Sequence, residues 1–104
     1  MARLAQIIVP AAKPTGVNAS LAATTAASAV TLGKGVVFVI GSTQALSITF
    51  GPGGAVAATP SATVGMLLPP NVLQQIDLDN NDTFQVFNTG AAAAQWGYQV
   101  IKPV

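Results

Sequence analysis

Asp77, Asp79 and Asp82 fall within the run Asp77-Leu78-Asp79-Asn80-Asn81-Asp82 and are the only carboxylate side chains in the sequence. Two chemistries use acids spaced in this way. A pair of carboxylates can flank a glycosidic bond as acid and base, and alternating hard oxygens can hold calcium. For the first, Asp77 and Asp79 point the same way only if the stretch stays extended, and no other group in the sequence would raise the pKa of one of them. For the second, Asp77, Asp79 and Asn81 match the opening ligand positions of an EF-hand loop. Asp82 then stands where glycine is required, and Asn88 where the bidentate glutamate belongs. A looser calcium turn is the functional reading left. A polar β-turn is preferred, because Asn and Asp tolerate left-handed geometry and bond their own backbone.

The sequence contains no His, Glu or Cys. That removes the commonest general base and every Ser-His or Cys-His nucleophile. It also removes disulfides and thiolate metal sites. Gly51-Pro52-Gly53-Gly54 lacks the Lys-Ser/Thr ending of a phosphate loop and reads as a flexible surface loop. Asn18-Ala19-Ser20 and Asn81-Asp82-Thr83 match the glycosylation pattern, which matters only in a secretory setting. The expectation is a protein that is not an enzyme and takes no metal or cofactor.

Two groups of residues suit contact with a partner. Trp96 and Tyr98 lie two apart on one strand face. Core packing is the preferred reading, and an interface anchor or a sugar-stacking platform is the functional one. Leu4, Ile7, Ile8 and Val9 form an apolar N-terminal stretch able to dock on a neighbour by strand addition or groove filling. The first ten residues have a faint signal-peptide character, but Gln6, Pro10 and Lys13 interrupt it, and they read as structure.

The elements that must position these residues are strands. Residues 4–9 suit a short strand or docking arm, ended by Pro10, Pro14 and Gly16. Residues 18–30, almost all Ala, Ser and Thr, fit either a short helix or an extended arm that a neighbour must order. Val36 to Ile40 is a β-branched and aromatic run typical of a strand buried on both faces. Leu46, Ile48 and Phe50 then alternate with Ser47 and Thr49, giving one core face and one polar face. A loop from Gly51 to about Thr63 follows. Val64, Met66 and Leu68 share a face up to Pro69-Pro70, and Val72, Gln74, Ile76 and Leu78 share the next. Residues 83–88 form a strand with Phe84 and Val86 together. The last strand aligns Trp96, Tyr98 and Val100. Six or seven short strands with turn residues between them predict an all-β fold. It is a compact antiparallel β-sandwich or small barrel (31–104) with an extended N-terminal arm (1–30).

The surface of such a fold would be unusual. Only seven of 104 residues are charged, 7% against about 25% in an ordinary soluble domain. Roughly 5,400 Å² of surface then carries one charge per ~770 Å², close to one partner's share of a standard interface. Interface cores are depleted in charge, so the composition suits a surface that is largely covered. The net charge of +1 offers no basic patch for nucleic acid. The mean hydropathy is +0.58, yet no apolar run approaches the ~20 residues of a membrane span.

In style, GVVFVIGSTQALSITFGP (35–52) followed by DLDNNDTFQVFNTGAAAAQWGYQVI (77–101) resembles the small decoration, or cement, proteins of tailed-phage heads. The resemblance lies in short strands, few charges, Ala/Thr/Gly-rich filler, a polar DNNDTF turn and a closing aromatic strand, and carries no residue-level signature. It implies a structural virion protein on the capsid exterior. Its partners would be the major capsid protein and copies of itself in a homotrimer, and it would stabilise the shell. The competing expectations are a tail or fibre module, or a carbohydrate-binding module using Trp96 and Tyr98.

Overall fold

A computed structural model describes residues 17–102 of the chain. Eight strands follow one another: β1 Val17–Leu21, β2 Val30–Thr31, β3 Val37–Ser42, β4 Leu46–Gly51, β5 Met66–Leu68, β6 Gln74–Asp77, β7 Thr83–Asn88 and β8 Ala94–Lys102. They form two four-stranded sheets, ordered β1-β8-β3-β6 and β2-β7-β4-β5, in which every pairing is antiparallel. The fold is therefore a β-sandwich, and its strand order is that of an eight-stranded jelly roll. The described residues contain no helix.

The period of two in the sequence builds the core. Phe38 and Ile40 on β3, Leu46 and Ile48 on β4, Phe84 and Val86 on β7, and Trp96 and Val100 on β8 fill the space between the sheets. At its centre the Phe38 and Phe84 rings stack at 4.6 Å across the two sheets, and Tyr98 meets both edge-on. Val39, on the opposite face of β3, is also buried, between its register partners Gln75 and Gln99. The continuous apolar run in β3 is thus covered on both faces.

Residues 18–30 form strand and turn rather than helix, the chain turning at Ala23–Thr24, where Thr24 takes a left-handed φ of 51°. Ala19 pairs with Trp96 and Leu21 with Ala94, so β1 closes one edge of its sheet, and Ala26 bridges Phe87 before β2 begins. From Val17 onward, residues assigned from the sequence to the arm contribute to both sheets. Neighbouring strands supply the order that their small side chains do not provide alone.

The loop after Gly51 is pinned rather than flexible. The Asp82 carboxylate accepts the Gly53 and Gly54 amides at 3.1 and 3.0 Å. The Ala57 amide donates to the Phe50 carbonyl, and the Ser47 hydroxyl to the Val64 carbonyl at 2.7 Å. Gly65, with φ +121°, lets the returning chain lie on β4. A Cβ there would strike the Ser47 hydroxyl and sit 2.9 Å from the Ile48 carbonyl. This cover buries Ser47 and leaves the Thr49 hydroxyl sealed without a hydrogen-bond partner.

Candidate interaction surface

The acidic run is a structural turn. The Asp77 carboxylate accepts the Asp79 amide at 2.9 Å, and Asp79 takes a left-handed φ of 56°. This is the self-bonded Asx geometry expected of a polar turn. Asp82 faces a different set of donors. Gly54 and Gly53 supply amides to its carboxylate, and the Thr83 hydroxyl donates to it at 2.8 Å. Because that hydroxyl proton is committed to Asp82, the Thr31 hydroxyl must be the donor in its 2.9 Å bond to Thr83. The Gly54 amide, then the Thr83 hydroxyl, with smaller help from Gly53 and Lys34, hold the Asp82 carboxyl below its ordinary value. Among the described residues no three acids, His or Cys converge as a metal site. Three of the roughly four acceptor sites of the Asp82 carboxylate are taken, two by the Gly53 and Gly54 amides and one by the Thr83 hydroxyl.

Trp96 and Tyr98 sit on the inner face of β8. Trp96 is only 6% exposed and Tyr98 is half-buried, their rings 6.1 Å apart. Burial pushes the Tyr98 phenol up from its usual value. The Trp96 ring packs in the core and turns no open face outward, as a sugar platform would require. Leu4, Ile7, Ile8 and Val9 lie outside the described residues.

Two features escape a reading of sequence pattern. Asn88 ends the strand read over residues 83–88 and, as a polar residue of a turn-forming type, would be expected at the surface, yet it is fully buried. Its side-chain amide donates to the carbonyls of Leu21, Ala22 and Ala92 at 3.1, 3.3 and 2.9 Å, and its side-chain oxygen accepts the Gly90 amide. It ties the end of β1 to the turn entering β8. Only its identity as a turn-former hinted at this, because the partners lie up to 67 positions away.

The second feature is an apolar margin. The described residues with large, exposed apolar side chains are Val64, Met66, Leu67, Val72 and Leu73. β5 and β6 are the outer strands of the two sheets on the same side, joined by residues 69–73, so these residues gather toward one side of the sandwich, with Leu67 beside Ser47 on the outer face of one sheet and Leu73 against Gly41 on the outer face of the other. Strict alternation would place Leu67 on the solvent face of β5, paired beside Ser47, and there it is 65% exposed. The consecutive residues Met66-Leu67-Leu68 and Val72-Leu73 were the signal available in the sequence.

No protein-family model and no curated protein matches the chain. One solved structure does, a chain from the work described as "Bacillus endospore appendages form a novel family of disulfide-linked pili". It is 16% identical, has a TM-score of 0.54, and is matched over 88% of this chain and 85% of that one. At that identity the similarity shows a shared fold. The disulfides named for those pili have no counterpart in this sequence, which has no cysteine.

Proposed function

We propose that this chain is a non-enzymatic structural subunit that decorates the exterior of a tailed-phage capsid and stabilises the shell. The observation that carries the reading is the β5–β6 margin. Five large apolar side chains are exposed there, within a stretch (35–76) that contains no charged residue. Solvent-facing margins of sheets are normally blunted by charge, whereas a bare apolar one marks a surface that works by being covered. The cement-like style of the sequence directs the proposal to capsids. The solved pilus chain, built on the same fold, supports the wider class of structural subunit.

The proposal is tested on heads stripped of their decoration and challenged by heat, with DNA release followed by a dye. Added protein is expected to raise the release temperature in a saturable way. Unchanged release at saturating protein would overturn the capsid reading. The second reading is a subunit of a tail or fibre, favoured by the filamentous context of the solved neighbour. It would be supported if the protein partitioned with tails and not with heads.

A further inference from the structure

We infer that residues 52–64 form a strap that lifts as a unit off the outer face of β4 while the sandwich stays folded, with Asp82 as its latch. The inference concerns motion within one chain and stands whether the larger assembly is a capsid or a fibre.

The strap is held at few points. At one end the Asp82 carboxylate accepts the Gly53 and Gly54 amides, and the Asp82 amide donates to the Gly51 carbonyl at 3.1 Å. The Ala57 amide reaches the Phe50 carbonyl at 2.9 Å. At the other end the Ser47 hydroxyl donates to the Val64 carbonyl. Further bonds are internal to the strap. The Ser61 hydroxyl oxygen accepts the Thr63 and Val64 amides at 3.2 and 3.1 Å, and the Ser61 amide donates to the Val64 carbonyl at 2.9 Å. These bonds keep residues 61–64 together when the strap lifts.

Little apolar burial backs the anchoring bonds. Between Pro52 and Val64 only Pro60 is fully buried, while Ala55, Ala57, Ala58, Ala62 and Thr63 are exposed. A segment with few buried apolar contacts and solvent-exposed hydrogen bonds opens at the low end of a protein's range of local stabilities. β4 beneath it has the opposite character, because Leu46 and Ile48 lie in the core. Glycines with positive φ stand at both ends of the strap, Gly53 and Gly54 at 75° and 83° and Gly65 at 121°, so the turns that must swing carry no Cβ.

A second, independent observation opposes closure. Among the described residues the Thr49 hydroxyl is the one buried side-chain oxygen or nitrogen without a hydrogen-bond partner. Water reaches it when the strap lifts, so opening recovers a hydrogen bond that closure forfeits. The Asp82 latch and the sealed Thr49 hydroxyl therefore act in opposite directions on one equilibrium. Lifting the strap bares Ser47 and Thr49, which alternate with the core residues of β4 on its outer face. The strap thus gates access to the outer face of the β2-β7-β4-β5 sheet.

The test is native-state hydrogen exchange of the full-length protein at rising denaturant, below the unfolding transition, comparing the Ala57 amide with the paired amides of β3 and β8. The Ala57 amide is expected to exchange at least about tenfold faster than those, at a rate nearly independent of denaturant, because a local opening exposes little surface. Asp82→Ala is expected to speed its exchange about fivefold, as when a carboxylate that caps backbone amides is removed. Thr49→Val is expected to slow it about fivefold. An Ala57 amide that shares the rate and denaturant dependence of β3 and β8 overturns the inference, since the strap would then open only by global unfolding. Unchanged Ala57 exchange in Asp82→Ala overturns it too, because Asp82 would not be the latch. If Asp82→Ala fails to fold, Thr49→Val decides, and faster Ala57 exchange in that variant would show that the closed strap satisfies the hydroxyl, against the inference.

Discussion

Replacing Asn88 with alanine should be among the most damaging single changes to a polar side chain in this molecule. The substitution strips partners from the carbonyls of Leu21, Ala22 and Ala92 and from the Gly90 amide. Two side-chain N–H groups serve three acceptors, so one of those bonds is shared. The bond to Leu21 is wholly buried, and losing it leaves a carbonyl that water cannot reach, at a cost of about 2 kcal/mol. The others are partly accessible and forfeit about 1 kcal/mol for the shared pair and about 1 kcal/mol for Gly90. The sum of about 4 kcal/mol is a large share of the 5–15 kcal/mol typical of a domain. Denaturant unfolding followed by fluorescence of Trp96, the chain's one tryptophan, measures it. Asn80→Ala, at an exposed turn position, serves as the control and should change stability by no more than about 0.5 kcal/mol. An Asn88→Ala loss below about 1 kcal/mol would refute the reasoning, because it would mean that water or a shifted turn satisfies those groups at little cost.

Three further outcomes follow from the same structure. Thr49→Val should raise stability by about 1 kcal/mol, because it removes a buried hydroxyl that has no partner; a lower denaturant midpoint would show that the hydroxyl is bonded. Asp82 is held below its ordinary pKa in the fold, so its contribution is present above the unfolded value near 3.9 and is lost as pH falls through the folded value. Between about pH 5 and pH 2 the wild type should therefore lose more stability than Asp82→Asn, and parallel pH curves would contradict this. Trp96→Ala should cost about 3–5 kcal/mol as a core truncation, whereas a variant melting like wild type would take that ring out of the core.

The strands at the centre of the sheets were legible because their chemistry is local. Leu46, Ile48 and Phe50 alternate with Ser47 and Thr49 in β4, and the Val36 to Ile40 run overlaps β3. The edges were not. β1 has no alternation of large apolar residues and becomes a strand because β8 offers a partner 77 positions away, as in the Ala19–Trp96 pairing. The loop after Gly51 looked free because its restraint comes from Asp82, 28 and 29 positions on. For the candidate surface, the aromatic pair at 96 and 98 had the composition of an anchor, but its period-two spacing also fits a core face, and β8 turns that face inward. Leu67 occupies a position where alternation expects a polar residue. It is a departure from local pattern that only the placement of β5 at a sheet edge makes informative.

This jelly roll is proposed to act by binding a protein assembly. The most direct measurement is sedimentation of the purified full-length protein with intact tailed-phage heads through a density gradient, quantified by mass spectrometry of the head band. The protein is expected in that band, saturating at a fixed ratio to the major capsid protein. If it stayed at the top of the gradient at every concentration, with heads present and undamaged, the capsid claim would be contradicted.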